Sequence, residues 1–249
     1  MRLEAGPEPA ASLPWAGWRR YITDPWVINA FALATAAPRQ RRKDARPQEL
    51  LEAAQALFLE KGFAATRSEE VAARAGVSKG TLYRYFPSKE ELFKAMVREN
   101  LSVHIAESAA VAAQYRGPIA DLLRQMMQTW WAKVGQGIAG GISKIMLVEA
   151  RNFPELAQFY VDEVIMPSKT LLGGLIQRGI VAGEFRPVPL DATVHMLIAP
   201  MLHMMLHEHS FGDHDPCSLT MSPAELLEAQ MSLLLCGLLA HKPLAGTTS

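Results

Sequence analysis

Cysteine is scarce in this chain. Cys217 and Cys236 are its two, in no C-x-x-C spacing and behind no secretory signal, which argues against a disulfide-stapled scaffold and fits a protein of the reducing cytoplasm. Long apolar runs are missing as well: the longest are interrupted by Asp24, Pro25 or Pro200, or are too short for a bilayer, so no membrane association is expected. Alternating β-patterns of useful length are absent, which points away from sheet. So are paired acid/base constellations, nucleophile motifs, His-paired cysteines and phosphate loops, and the chain is therefore not expected to be an enzyme or to carry a cofactor. Net charge is zero in total, with 25 Lys and Arg against 25 Asp and Glu. It is uneven along the chain: from Arg39 to Asn100 bases outnumber acids 13 to 9, and from Leu101 onward the ratio reverses to 9 against 13. A basic front half suggests a polyanionic partner for that half alone.

What the chain does have is helical period. Residues 1–38 are rich in Pro, Ala and Trp without sustained periodicity and read as an extension that is poorly ordered or loosely docked. Arg39, Arg41, Arg42, Lys43 and Arg46 then crowd into a basic arm ahead of a helix that Pro47 is expected to open. Such an arm is either a solvated charge run or a segment that lies on phosphates or enters a minor groove. Leu50, Leu51, Ala54, Leu57 and Phe58 recur at three- and four-residue spacing until Lys61-Gly62 stops the first helix. Thr66 with Glu69 predicts a capping box for a second helix, Ala75-Gly76-Val77 a turn, Ser78 the start of a third helix over Lys79 to Tyr85, and Ser88 with Glu91 the start of a long fourth helix running to about Gln114.

Two short helices about a glycine turn are the components of a DNA-reading helix-turn-helix, which needs a small turn residue, apolar inner faces and a second helix able to enter the major groove. Gly76, Val77 and Leu82 meet the first two demands. Lys79, Gly80, Thr81, Tyr83, Arg84 and Tyr85 supply donors, a close-approach glycine and a methyl group on the outward side, and Lys89 adds a cation beside the start of the fourth helix as a phosphate clamp. The stretch GVSKGTLYRYFPSKEEL, Gly76 to Leu92, with EKGFAAT from Glu60 to Thr66, resembles the DNA-binding domain of the TetR/AcrR family of transcriptional repressors, the likeness covering about Pro47 to Asn100. That resemblance implies DNA contacts for Lys79, Thr81, Tyr83, Tyr85 and Lys89, and backbone contacts for Arg67 and Ser68. Thr81 and Arg84 are the expected base readers, Tyr83 and Lys89 the phosphate holders.

Beyond Gly117-Pro118 helical periods follow one another: about Pro118 to Val134, Gly141 to Arg151, Pro154 to Ile165, Pro167 to Val181, Leu190 to His209 and Pro223 to Ala240. The expected fold is all-α: an N-terminal three-helix helix-turn-helix DNA-binding domain, 39–95, and a C-terminal helical bundle, 96–249, for ligand binding and dimerisation, the latter functions implied by the resemblance. Met127, Trp130, Trp131, Met146, Phe159 and Met166 are candidates to line an effector pocket, with ordinary core as the alternative for each. Apolar residues on more than one face of the last two helices suggest a homodimer, and symmetric operator half-sites call for one. His195, His203, His207, His209, His214 and Cys217 are the one cluster with metal-ligand potential, with His203 and His207 four apart on one helix face. The leading reading is thus a cytoplasmic, homodimeric repressor of double-stranded operator DNA released by a small apolar or amphipathic effector. A metal-responsive regulator using the histidines, or an enzyme using the C-terminal pocket, are the alternatives.

Overall fold

The computed structural model describes residues 38–212 and 221–239, with side chains from Pro47 onward. The chain divides into two compact units, Met1–Gln48 and Glu49–Ser249. The extension 1–37, His214 and Cys217 lie outside the described residues, as do the side chains of Arg41 and Arg42.

Nine helices are present among the described residues, with an isolated bridge between Phe185 and Leu239 and no strand. Helix α1 is Pro38–Lys61, α2 Ser68–Arg74 and α3 Lys79–Tyr85. Helix α4 comprises Lys89–Val97, a π-helical turn Arg98–Ser102 and Val103–Gln114. Helix α5 is Ile119–Trp130 followed by a π turn Trp131–Gly135, and α6 is Ile138–Glu149. Helix α7 joins Pro154–Tyr160, a π turn Val161–Ile165 and Met166–Val181; α8 is Leu190–Ser210 and α9 Pro223–Leu238. No helix among the described residues is long and apolar enough to cross a membrane.

Local chemistry places most of the boundaries. Gly62 and Gly76 adopt φ of 83° and 66°, the left-handed region open to glycine, and so stop α1 and turn α2 into α3. The Ser78 hydroxyl accepts from the Thr81 N–H at 3.1 Å, Ser88 accepts from the Glu91 N–H at 3.1 Å, and Ser222 with Glu225 forms a reciprocal capping box at α9.

Three expectations are corrected. Pro47 does not open α1, whose helical backbone begins at Pro38: proline's φ is already helical, and its interior placement removes one ladder hydrogen bond without breaking the helix. Pro167 does not separate two helices, because it follows the π turn Val161–Ile165, where the ladder has already shifted register, and α7 continues through it. Thr66 does not cap α2. Its side chain is buried and donates to the carbonyls of Gly62 (2.8 Å) and Leu57 (3.2 Å), and it is Glu70, rather than Glu69, that accepts from the backbone N–H ahead of α2, that of Arg67 at 2.9 Å.

Two apolar clusters hold Glu49–Ser249 together. The first runs from Leu50 and Phe58 of α1 through Phe63, Val71, Leu82 and Phe93 to Leu101, Val134, Ile142, Met146, Tyr160 and Val164, crossing position 95/96 without a break. Phe58, Phe63 and Phe93 meet at ring-centroid distances of 5.2–5.9 Å, and Phe153 closes edge-on against Phe63 at 4.8 Å. The second cluster joins α5, the later part of α7, α8 and α9 through Leu122, Trp131, Ile176, Leu197, Met205, Met231 and Leu235. Trp130 packs against both.

Candidate nucleic-acid interface

Helix α3 is anchored chiefly by Leu82 and turns much of its surface outward. Leu82 is fully buried beneath it, while Lys79, Gly80, Tyr83 and Arg84 stand on the surface and Thr81 and Tyr85 are half-buried. The exposed set carries two cations, a phenol and a gap without a side chain, which suits phosphates and base edges. Arg67 is exposed and Ser68 half-buried at the start of α2.

Several of these donors already have partners. Lys79 Nζ pairs with the Glu69 carboxylate at 2.5 Å and lies 5.6 Å from the Tyr83 ring centroid. The pairing lowers the Glu69 pKa and raises that of Lys79, by hydrogen bonding first and charge second. Both groups are solvated, so the pair is weak and its exchange for a phosphate costs little. The hydroxyls of Ser78 and Thr81 share a hydrogen bond of 2.9 Å. Tyr85 packs against the first cluster.

Lys89 is placed otherwise than expected. Its ammonium donates to the carbonyls of Phe63 (2.8 Å), Thr66 (3.1 Å) and Ala64 (3.4 Å) and lies 4.3 Å from the Phe63 ring centroid. Burial pulls its pKa down, against a smaller upward pull from Glu90 and Glu149. An ammonium has three donors, and the three carbonyls within its reach all belong to the turn between α1 and α2. Lys89 therefore ties that turn to the start of α4 and is not a free phosphate clamp. Glu149 of α6 reaches the same turn, accepting from the Ala64 N–H at 3.3 Å.

The six residues expected to line one effector pocket divide between the two clusters and the surface. Met127 and Trp131 are buried in the second cluster and Met146 in the first. Trp130, the residue before Trp131, is half-buried and borders both clusters. Phe159 is half-buried under Lys94 and Arg98, which lie 5.7 and 4.8 Å from its ring centroid, and Met166 is 50% exposed. Hollows occur instead beside Tyr115, Arg178 and Glu184, and on the outer face of α8 at Asp191, His195, Met196 and Ala199.

Among the histidines, His203 and His207 do share a face of α8, with ring centroids 6.3 Å apart, and His207 stacks on Phe211 at 5.3 Å. His209 turns away to the Gly135 carbonyl at 2.9 Å. No group of three or more His, Cys, Asp or Glu that could hold a metal ion occurs among the described residues.

One buried polar pair was not foreseen. Tyr160 Oη donates to Ser143 Oγ at 3.0 Å, and Ser143 Oγ donates to the Ala139 carbonyl at 2.9 Å, all within the first cluster. The two residues lie 17 apart on different helices, so no spacing signals them.

Two family models match the chain: "Bacterial regulatory proteins, tetR family" over residues 50–96 and "Tetracyclin repressor-like, C-terminal domain" over residues 107–218. The HTH-type transcriptional regulator RutR of Escherichia coli K12 is 26% identical over 186 residues, 69% of this chain and 79% of that protein. Among solved structures, the regulator FadR of Bacillus subtilis in complex with stearoyl-CoA superposes with a TM-score of 0.64 at 19% identity, over 76% of this chain and 98% of that one. The ketosteroid transcriptional regulator KstR2 of Mycobacterium tuberculosis gives a TM-score of 0.60 at 21% identity, over 79% and 96%.

Proposed function

We propose that this chain, which belongs to the tetR family of DNA-binding transcriptional regulators, is a cytoplasmic homodimeric repressor that leaves its operator when a small apolar or amphipathic molecule enters the C-terminal bundle. Regulators of this family bind operator DNA, act as dimers and take small-molecule effectors. The observation that carries the DNA reading is the asymmetry of α3, where Leu82 is fully buried and Lys79, Gly80, Tyr83 and Arg84 are outside.

In this reading residues 39–95 read DNA and 96–249 sense and dimerise. Thr81 and Arg84 face base edges, Lys79 and Tyr83 hold phosphates, and Arg67 and Ser68 meet the backbone at the start of α2. The basic arm, Arg41 and Arg42 included, assists by meeting phosphates or a minor groove. Lys89 acts by holding the turn under α2. Dimerisation uses the outer faces of α8 and α9, where Met196 is 62% and Leu233 77% exposed in the single chain. Exposed apolar side chains that recur on neighbouring helices are the signature of an interface. FadR with its stearoyl-CoA and KstR2 with its ketosteroid name support an apolar effector for a fold of this kind.

Selection of binding sites from random double-stranded DNA tests the reading. The expected product is a near-palindrome whose half-site centres lie about 34–36 Å apart or a multiple of that. Recovery of no sequence preference would overturn it.

A further inference from the structure

We propose that the effector anchor in this chain is the Tyr160–Ser143 pair, and that it takes a neutral apolar molecule bearing one hydroxyl or carbonyl, in preference to an acid or an amine. The assignment rests on the reading of the C-terminal bundle as an effector domain.

The pair is singular in the interior. Buried polar side chains among the described residues are Thr66, Ser143 and Thr193, joined by the Tyr160 phenol. Thr66 closes the turn under α2, and Thr193 bonds to the Pro189 carbonyl within its own first helical turn. Of these four, Ser143 and Tyr160 link two helices of the bundle, α6 and α7, within the apolar cluster that also holds Leu101, Val134, Ile142, Met146 and Val164. Each oxygen keeps acceptor capacity beyond the bonds it makes, and the phenol can turn its proton to a carbonyl. Replacing such a pair by apolar groups of the same shape is often neutral for stability, so stability alone does not account for it.

The backbone around the pair is the second observation. All three π turns among the described residues feed this cluster: Arg98–Ser102 supplies Leu101, Trp131–Gly135 supplies Val134, and Val161–Ile165, which begins at the residue after Tyr160, supplies Val164. A π turn replaces regular α-ladder geometry with a wider, re-registered one, and such turns concentrate at functional sites. Two of them are tied together from outside, Glu163 meeting Arg98 at 3.6 Å and Ser102 at 3.4 Å. Trp130 is half-buried against both clusters.

Charge decides the ligand class. No Asp, Glu, Lys, Arg or His is buried among the described residues; of the cations bordering this cluster, Lys94 and Arg98 lie over Phe159, and Lys89, 4.3 Å from the Phe63 ring centroid, is already held by three backbone carbonyls. A carboxylate or ammonium brought to Tyr160 would be desolvated with no counter-charge, whereas one neutral polar group would be satisfied. The same cluster contains Phe63, Leu82 and Phe93, so an occupant here bears directly on the packing under the DNA-facing helices.

Four probes of equal chain length test this on the full chain: 1-decanol, decanoate, decylamine and decane, followed by tryptophan fluorescence and by the shift in melting temperature. The expected result is binding of decanol with an affinity at least about tenfold above the other three, one neutral hydrogen bond being worth roughly that factor. Tyr160→Phe and, independently, Ser143→Ala should each bring decanol down to the affinity of decane. A Leu123→Val control in the second cluster should lower the melting temperature and leave the preference for decanol in place. Should Tyr160→Phe not fold, Ser143→Ala decides alone. Binding of no probe, a preference for decanoate, or retention of the decanol preference in both variants would overturn the proposal. If sequence-selective DNA binding persists in that event, the regulator reading stands without this anchor; if DNA selection fails while decanol binds as expected, the converse holds.

Discussion

Lys89 and Phe63 are joined twice: the ammonium of Lys89 donates to the Phe63 carbonyl at 2.8 Å and lies 4.3 Å from the centre of the Phe63 ring. Phe63 in turn packs edge-on against Phe153, at the junction of α6 and α7, at 4.8 Å. One aromatic residue thus receives a cation from the start of α4 on one side and a ring from the sensing bundle on the other. The turn under α2 touches the start of α4 through Lys89 and the α6–α7 junction through Phe153.

Removing that cation separates a positioning role from a phosphate contact. Lys89→Met should destabilise the fold by about 1–3 kcal/mol, since it strips a charged donor from two or three carbonyls. DNA affinity should fall for all sequences alike, while the slope of log K against log salt stays as in the parent protein. A true phosphate contact would reduce that slope by about 0.9. Urea unfolding and binding titrations at several salt concentrations read both quantities.

Glu69 holds Lys79 at 2.5 Å on the surface expected to meet DNA. Glu69→Gln frees the ammonium and removes a negative charge facing the phosphates, so affinity should rise for specific and random DNA together, roughly two- to fivefold for a solvated pair. Lys79→Ala should lower both and reduce the salt slope by about one. Thr81→Ala and Arg84→Ala should instead alter the selected sequence. Gel-shift titration against selected and scrambled duplexes distinguishes the two patterns.

On α9, neighbouring leucines have opposite environments: Leu233 is 77% exposed and Leu235 4%. Leu233→Asp should yield a folded monomer, visible by light scattering, with loss of tight operator binding. Leu235→Asp should fail to fold, because a charge would sit unpaired among Trp131, Met205 and Met231 of the second cluster. An exposed-site variant that remains a tight dimer would place the interface elsewhere.

Tyr160 makes stability depend on alkaline pH. Burial raises its pKa, with the Ser143 hydrogen bond pulling weakly the other way. Below about pH 10 the phenol is neutral in both folded and unfolded chains and contributes no pH dependence. Above that, the unfolded chain ionises while the folded one keeps its proton, so the folded state binds more protons and stability falls as pH rises. Tyr160→Phe should lose less stability between about pH 9.5 and 11 than the parent protein, by chemical denaturation at each pH. Equal losses would mean that the phenol is not held neutral.

The DNA-facing half was largely legible in the residue order because its determinants are local. Gly76 turns the chain through its own φ of 66°, and Ser78 and Ser88 cap helices through hydrogen bonds spanning three residues. Leu82 points inward because the residues about it on α3 are polar. Each of these needs a few neighbours in sequence and nothing else. The C-terminal helices were legible in the same way, from periodicity and breakers, apart from the boundary at Pro167.

Other features were decided by contacts between distant segments. Thr66 and Glu69 carry a sequence pattern for a cap, but a hydroxyl near Gly62 and Leu57 finds two carbonyls in the interior, and burial overrides the local option. Lys89 looks like a surface cation from its neighbours and is drawn inward by carbonyls 23 to 26 residues away. Trp130 and Trp131 look equivalent as pocket walls, yet Trp131 is buried in the second cluster while Trp130 is half-buried between both. The sequence by itself determined most helix boundaries, the starts expected at Pro47 and Pro167 excepted, and which face of α3 is polar, because those rest on hydrogen bonds and periodicities within a few residues. Only the tertiary structure decided which polar groups are satisfied inside, Lys89 against Phe63 and Tyr160 against Ser143, because a buried donor is obliged to find an acceptor and the fold alone brings one within 3 Å.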